Sequence, residues 1–253
     1  MDLNALVALV LVLVRVSCVL ACLPLVGEGF APQAVKVLVA LTVSIVLVAG
    51  GAATPPAVGW GVGQFFLFVG AEAFFGVLIG LSALLIFKSL RMGGELMGQE
   101  MGMALASIAD PLSGEQTNMV GGFCEVVGSM VFFAVGGHIW MLNALRESFA
   151  LWPLGAFVSP EFAHRVTLAA TTRSFVMALQ LASPLLLLTF LVSLTMAIME
   201  RLVPEMNILI VGFPLRVGVG LIGLVLFVPL LARYGAEVSR MMTTFLAGAA
   251  AGA

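Results

Sequence analysis

Charged side chains are scarce in this chain. Asp, Glu, Lys and Arg together make up 9% of its 253 residues, whereas soluble domains average about 25%. Hydrophobic residues make up 62%, and the mean hydropathy is +1.19. This composition excludes an ordinary soluble domain and predicts an integral membrane protein. The net charge of -2 is spread along the chain without blocks, so nothing indicates nucleic-acid binding.

Residues that carry catalysis or bind metals are also scarce. The only histidines are His138 and His164, and the sequence contains no zinc-protease helix motif, no phosphate-binding glycine loop and no serine nucleophile elbow. We therefore expect no enzymatic activity, no cofactor and no metal site. The three cysteines, Cys18, Cys22 and Cys124, are expected to be small buried apolar side chains rather than a disulfide or metal site.

Long apolar segments dominate what is present, and a membrane-spanning helix needs about 20 such residues. The candidate spans are residues 3–26, 34–53, 64–87, 120–142, 171–200 and 207–232. The expected fold is all-α, with about six long hydrophobic helices plus a glycine-rich half-helix and loop. The fifth segment is longer than a bilayer requires, and Pro184 is expected to kink it. Lys and Arg divide almost evenly between the two sides if residues 93–109 do not cross the membrane, and lie almost all on one side if they do, so the topology stays open.

The stretch 93–122 is the longest polar and small-residue interruption of the apolar sequence. Small residues recur in it at every fourth position, namely Gly94, Gly98, Gly102 and Ala106. On a helix these four would share one face and let another backbone approach closely. Asp110-Pro111 is expected to break that helix, because proline disfavours a helical residue before it and has no N–H to donate.

Several charged side chains fall within or beside the apolar segments. They are Arg15, Glu72, Glu125 and Arg216, while Glu95 and Gln99 add polar groups beside the glycine face. A charge at the centre of a membrane helix costs roughly 2.5–3.5 kcal/mol on insertion scales, so such groups need partners or water. Three interpretations fit: a proton relay in a transporter, inter-helix polar contacts in a multisubunit pore, or arginines that snorkel to the membrane surface.

Motifs near the C-terminus link these features to a known family. Arg201-Leu202-Val203-Pro204-Glu205-Met206-Asn207 leads into Gly212-Phe213-Pro214-Leu215-Arg216, a pattern built on Pro204, Asn207, Gly212 and Pro214. With the Gly93-Gly94-Glu95 and Asp110-Pro111 elements, the chain resembles the flagellar biosynthetic protein FliR family, which is homologous to the T component of virulence type III secretion export gates. Glu205 stands where glutamine is expected and Arg216 where lysine is usual.

The resemblance implies a non-enzymatic subunit of a protein-conducting gate that exports flagellar axial proteins. Its expected partners are FliP-like and FliQ-like subunits in a hetero-oligomeric gate, FlhB-like and FlhA-like export components, and unfolded export substrates. The expected location is the bacterial inner membrane, within the flagellar basal body and extending to the periplasmic side. The alternatives are a virulence-type export gate subunit and a secondary transporter, although the sequence shows no inverted repeat of the kind that transporters contain.

The resemblance also implies a division near residue 170, between a P-like helical part, 1–170, and a Q-like helical hairpin, 171–253. Residues 94–106 are expected to pack against neighbouring P-like subunits, and the loop that follows corresponds to the plug of the closed pore. The implied plug residues are Ile108, Asp110, Pro111, Leu112, Ser113, Gly114, Glu115, Gln116, Thr117, Asn118 and Met119.

Overall fold

The computed structural model describes residues 3–22, 32–51, 61–103, 118–203 and 208–250. These ranges contain helices and their connections but no strand, which confirms the predicted all-α class. Their helices are α1 (Leu3–Ala21), α2 (Gln33–Ala49), α3 (Val62–Glu100), α4 (Met119–Ala134), α5 (Gly137–Leu151), α6 (Pro160–Leu202) and α7 (Ile208–Ala250). The helix count differs slightly from the predicted one, because the fourth predicted span is divided and the glycine-rich segment continues the third.

Three stretches of the described chain are long and apolar enough to cross a membrane: α3, α6 and the Val211–Glu237 part of α7. A fourth crossing results if α4 and α5 together form one bent span, whereas α1 and α2 are apolar but shorter. With 39 and 43 residues, α3 and α6 are about 58 and 65 Å long at roughly 1.5 Å per residue. Each is about twice the ~30 Å thickness of the hydrocarbon core, so each must tilt strongly or extend beyond the bilayer.

The end of α3 differs from the expectation. The glycine spacing predicts a helix through Ala106 to the break at residues 110–111, but α3 ends at Glu100. The reason is Gly102, whose φ of 83° lies in the left-handed region that favours glycine. The N–H groups of Gly102 and of the next residue donate to carbonyl oxygens one turn back, at 3.0 and 3.1 Å. This pairing is the Schellman termination, which satisfies the free carbonyl groups at a helix end.

The fourth predicted span, 120–142, is interrupted by a pair of glycines. Gly136 has a φ of 78°, which ends the run of helical backbone between α4 and α5. The two helices are bent by 70° at this break. The Gly136-Gly137 pair is the sequence feature that accounts for the bend.

The start of α6 lies well before residue 171, where the apolar segment begins. Pro160 is its first residue, a position at which proline loses no helical hydrogen bond. The Ser159 hydroxyl accepts a hydrogen bond from the Phe162 N–H (3.2 Å), which caps the helix. Ser-Pro-Glu at 159–161 therefore marks the start of α6. A search for long apolar segments misses this start because the first turns of the helix are polar.

Pro184 lies inside α6 and removes one backbone donor from the helix. The carbonyl that this donor would reach, four residues back, is that of Gln180. The Ser183 hydroxyl donates to that carbonyl at 2.9 Å. The neighbouring serine thus replaces the hydrogen bond that the proline removes, which makes a proline tolerable in an apolar helix.

The chain forms two compact units, and the first consists of three stretches. These are Met1–Phe87, Phe133–Thr172 and Val238–Ala253. Within this unit α1 crosses α3 closely: a Cβ built on Gly76 would lie 2.8 Å from the Cβ of Cys18, and one on Gly80 would lie 2.8 Å from the Cβ of Cys22. All three cysteines are free thiols, with Cys124 buried and the other two half-buried.

The second unit consists of Lys88–Phe132 and Arg173–Glu237. Here Gly93 of α3 packs against Leu181 of α6, and Gly220 of α7 packs against Met101. The unit therefore joins the glycine-rich end of α3 to parts of α6 and α7. The predicted division near residue 170 separates a part that resembles P-like subunits from a part that resembles Q-like subunits. It is based on sequence resemblance and not on contacts within the chain, and it stays a prediction.

Candidate functional site

Residues 104–117, which include most of the predicted plug, lie outside the described residues, but both of their flanks are described. At the first flank, the Met103 N–H donates to the Gly98 carbonyl at 3.1 Å. At the second flank, the Asn118 side chain occupies the space that a Cβ on Gly98 would fill. Both flanks therefore meet at the same residue of α3.

Asn118 connects the start of α4 to α3 through both ends of its amide. Its Oδ1 accepts hydrogen bonds from the N–H groups of Val120 (3.1 Å) and Gly121 (3.4 Å), which caps α4. Its Nδ2 donates to the Glu95 carbonyl of α3 at 2.9 Å. One side chain thus both starts α4 and anchors that start to α3.

Two glycines make the contact between α3 and α4 close. A Cβ built on Gly94 would lie 2.8 Å from the Cys124 Sγ, 2.8 Å from the Gly121 Cα and 2.8 Å from the Val120 carbonyl oxygen. A Cβ on Gly121 would lie 2.6 Å from the Glu95 Cγ. Carbon atoms ordinarily approach no closer than about 3.5 Å, so the two helices meet at a distance that only glycine permits.

Four charged side chains bridge the same two helices. Lys88 Nζ lies 2.6 Å from Glu125 Oε1, and Arg91 NH1 lies 3.1 Å from Glu125 Oε2. Arg91 Nε also pairs with Glu95 Oε1 at 2.8 Å. The Glu125 side chain is 11% exposed, so its charge depends on these two cations. The network is balanced, with two positive and two negative groups, and it holds α4 to α3 one turn beyond the glycine contact.

A second polar cluster lies in the first unit. Arg15 of α1 and Glu72 of α3 form an ion pair, with Nε 2.6 Å from Oε2, and each side chain is 1% exposed. Both also bond to the connection between α5 and α6, where Trp152 offers a carbonyl and Gly155 an N–H. Every buried polar side-chain atom in the described part of the chain has a partner.

Within the described ranges, no group of three or more His, Cys, Asp or Glu side chains is placed to hold a metal ion. The described residues therefore form closely packed helices, a connection anchored at both ends and buried charged groups that all have partners. Such an arrangement can hold parts of a membrane assembly in place.

Comparison with known proteins identifies the family. The sequence model described as Bacterial export proteins, family 1, matches residues 6–242. This chain belongs to that family. The FliR proteins are its relatives: the flagellar biosynthetic protein FliR of Aquifex aeolicus is 30% identical over 89% of this chain and 87% of its own length. The FliR of Pectobacterium carotovorum is 34% identical over 62% of this chain and 60% of its own length.

A virulence-related protein also matches. The Yop proteins translocation protein T of Yersinia pestis is 28% identical over 64% of this chain and 62% of its own length. Membership of the FliR family makes the chain a component of a bacterial export apparatus that associates with other export components. Its apolar helices suit the inner membrane.

The structure brings some of the predicted FliR-family site residues together. Gly94 and Gly98 make close contacts, and both contacts are with residues of this chain, so a neighbouring subunit is not needed to explain them. Gly102 ends α3 instead of extending its packing face. Of the six predicted polar contacts, Arg15 pairs with Glu72, and Glu95 and Glu125 belong to the four-charge network.

Other predicted residues are placed without being brought together. Gln99 is exposed near the end of α3. In α7, Gly212 and Arg216 are half-buried and Pro214 is exposed. Several of the predicted residues lie outside the described ranges, namely Ala106, Ile108, Asp110, Pro111, Leu112, Ser113, Gly114, Glu115, Gln116, Thr117, Pro204 and Asn207. Their roles stay predictions.

Three contributions were missed at the sequence level. Lys88 and Arg91 supply the cations of the network, and Asn118 supplies the anchor of α4. The spacing of Arg91 and Glu95, four apart on one helix, is a signal that could have found the first part. Asn118 directly before an apolar run is a recognisable helix start, but its second bond to α3 has no sequence signature.

Proposed function

We propose that this chain is a non-enzymatic subunit of the flagellar type III protein export gate and forms part of its protein-conducting pore. The observation that carries the proposal is the match to the Aquifex aeolicus FliR, because it extends over 89% of this chain. The family match over residues 6–242 supports the same assignment. Export of flagellar axial proteins would then be the activity of the assembled gate, with this chain supplying helices rather than catalytic groups.

The proposal includes the plug as the part that obstructs the closed pore. It is limited to residues 108–117, because Asn118 caps α4 and Met119 is the first residue of that helix. It is supported by the geometry of the flanks: Met103 and Asn118 both contact Gly98. Because both flanks of the segment contact the same residue of α3, the segment can change conformation while α3 and α4 stay in place. Gating by such a connection needs only local rearrangement, which costs less than separating packed helices.

The proposed partners are FliP-like and FliQ-like subunits in the gate, together with FlhB-like and FlhA-like components and unfolded substrates. Large apolar side chains that remain exposed on α6 support this part of the proposal. They include Leu187, Phe190, Leu191, Leu194 and Ile198, each at least 48% exposed. Their spacing places them along one side of the helix, a surface suited to other apolar helices. The proposed location is the inner membrane within the basal body, with the gate extending to the periplasmic side.

A virulence-type export gate subunit is the second candidate, and the match to the Yersinia pestis translocation protein T favours it. That match is less identical than the two FliR matches, and it covers less of the chain than the Aquifex match does. The flagellar assignment is therefore the stronger of the two.

A deletion tests the plug. Residues 112–117 are removed while Asn118 is kept, because Asn118 caps α4 and anchors it to α3. The gate, co-expressed with its partners, is purified and inserted into planar bilayers. The expected result is higher ion conductance than that of the unaltered gate. Equal conductance, in complexes of equal subunit content, would contradict the plug.

A further inference from the structure

The ion pair of Arg15 and Glu72 does more than neutralise two buried charges. We propose that these two residues form a clamp that positions the connection between α5 and α6, residues 152–159, through the backbone of that connection. The proposal concerns how the first unit is built, and it does not depend on the assignment to an export gate.

Each charged group divides its bonds between the other charge and the connection. Arg15 Nε donates to Glu72 Oε2 at 2.6 Å, while its NH1 and NH2 both lie 3.3 Å from the Trp152 carbonyl oxygen and donate to it. Glu72 keeps Oε1 for the Gly155 N–H, at 2.9 Å. NH1 also donates to the Ser148 hydroxyl at 3.4 Å. The connection is thus held at two backbone positions, by a donor on α1 and by an acceptor on α3.

The surroundings make these bonds important. The Arg15 guanidinium carbon lies 4.6 Å from the centre of the Phe75 ring and 4.2 Å from that of Phe149. The Trp152 ring packs against Phe75 and Phe162, with ring centres 5.1 and 5.2 Å apart. Aromatic groups therefore occupy the space around the pair that water would otherwise fill, so a backbone group released by the clamp would have few substitutes.

The shape of the connection fits the clamp. Gly155 has a φ of 81°. A Cβ built on Gly155 would lie 2.6 Å from Cδ1 of Phe68, so the Phe68 ring occupies the space of that Cβ. The Ala156 N–H donates to the Pro153 carbonyl at 3.1 Å, which closes a turn. Ser159 then caps α6. Fixing the turn fixes the point at which α6 begins.

Unlike a simple ion pair, the clamp requires the positive group on α1 and the negative group on α3. A carboxylate on α1 could not donate to the Trp152 carbonyl, and a guanidinium on α3 could not accept from the Gly155 N–H. Exchanging the two charges would restore their attraction but would leave both backbone groups without partners. A pair that served only to neutralise charge would tolerate the exchange.

The test uses the full chain, purified alone in detergent, with Trp60→Phe and Trp140→Phe so that Trp152 is the only tryptophan in the sample; this doubly substituted chain is the parent. Iodide quenching of Trp152 is compared among this chain, Arg15→Glu, Glu72→Arg and the double exchange. We expect a larger quenching constant in all three variants than in the parent chain, where Trp152 is half-buried, because each variant loses hydrogen bonds that hold the connection. Restoration of the parent quenching in the double exchange would overturn the clamp.

A second measurement keeps the test informative if the charge-swapped variants do not fold. Amide hydrogen exchange is carried out on the intact unsubstituted chain and then measured in a proteolytic peptide that covers residues 153–158. The clamp predicts that the Gly155 amide exchanges slowly although it lies outside a helix, and that Arg15→Lys, which retains the charge but loses the forked donors, accelerates it. Exchange of that amide at the rate of an exposed loop in the unsubstituted chain would overturn the proposal.

Discussion

Replacing Gly94 by alanine is predicted to separate α3 from α4. The added methyl group would lie 2.8 Å from the Cys124 Sγ, the Gly121 Cα and the Val120 carbonyl oxygen. Two of these three atoms belong to the backbone, so they cannot move aside by rotation of a side chain. The helices themselves must shift, and that shift would also strain the Asn118 anchor and the charge network.

The magnitude follows from two opposing effects. Overpacking a closely packed contact costs typically about 1–3 kcal/mol, and three simultaneous contacts at 2.8 Å place this site at or above the upper end. Alanine regains about 1 kcal/mol of helix propensity over glycine. We expect a net loss of about 2 kcal/mol in the free energy of unfolding, which corresponds to a melting temperature lower by roughly 4–8 °C for a chain of this size.

Gly70 provides the matched control, because it lies in the same helix and a Cβ built on it has nothing within 4 Å. Gly70→Ala should leave the melting temperature unchanged or slightly raised. The assay is the thermal change in tryptophan fluorescence of the purified complex, run on both variants at equal complex concentration. Equal melting temperatures for Gly94→Ala and Gly70→Ala would refute the close contact between α3 and α4.

Three further substitutions probe single contacts, each by the same melting assay. Glu125→Gln should lower the free energy of unfolding by about 1–3 kcal/mol, because Lys88 and Arg91 lose the carboxylate between them. An unchanged melting temperature would show that the network does not stabilise the protein. Ser183→Ala should cost about 1 kcal/mol by leaving the Gln180 carbonyl without its hydroxyl partner. Adding Pro184→Ala should recover that loss because the helix regains its own N–H donor, and failure to recover would show that the serine acts otherwise. Ser159→Ala should cost about 1 kcal/mol through the lost cap of α6, and no change would contradict the capping role.

The sequence predicted the fold class because composition and apolar length decide it. It predicted helix limits less well, since those depend on single residues with local effects. The end of α3 is set by the left-handed Gly102 and the start of α6 by Ser159, and neither coincides with the limits of an apolar segment. The break between α4 and α5 likewise follows from two adjacent glycines inside an apolar run.

The sequence predicted which residues belong to the candidate sites, but not which residues they contact. Sequence spacing singled out Gly94 and Gly98 as positions for close contact, but it could not show that α4 of the same chain fills the space at Gly94 and that Asn118, just before α4, fills the space at Gly98. Arg15 and Glu72 were recognisable as charges in apolar segments. Their separation by 57 residues, and their bonds to a connection more than 130 residues from Arg15, are products of the tertiary fold. A residue pattern within one helix cannot predict contacts between segments this far apart in the sequence.

The proposed role of this chain in the flagellar export gate can be tested in cells. The most direct measurement is the amount of flagellar hook protein in the culture medium of a strain from which this chain alone has been removed, compared with the same strain carrying the restored gene. If this chain is a gate subunit, hook protein disappears from the medium without the chain and returns with it. Undiminished secretion of hook protein in its absence would show that the chain is not part of the gate.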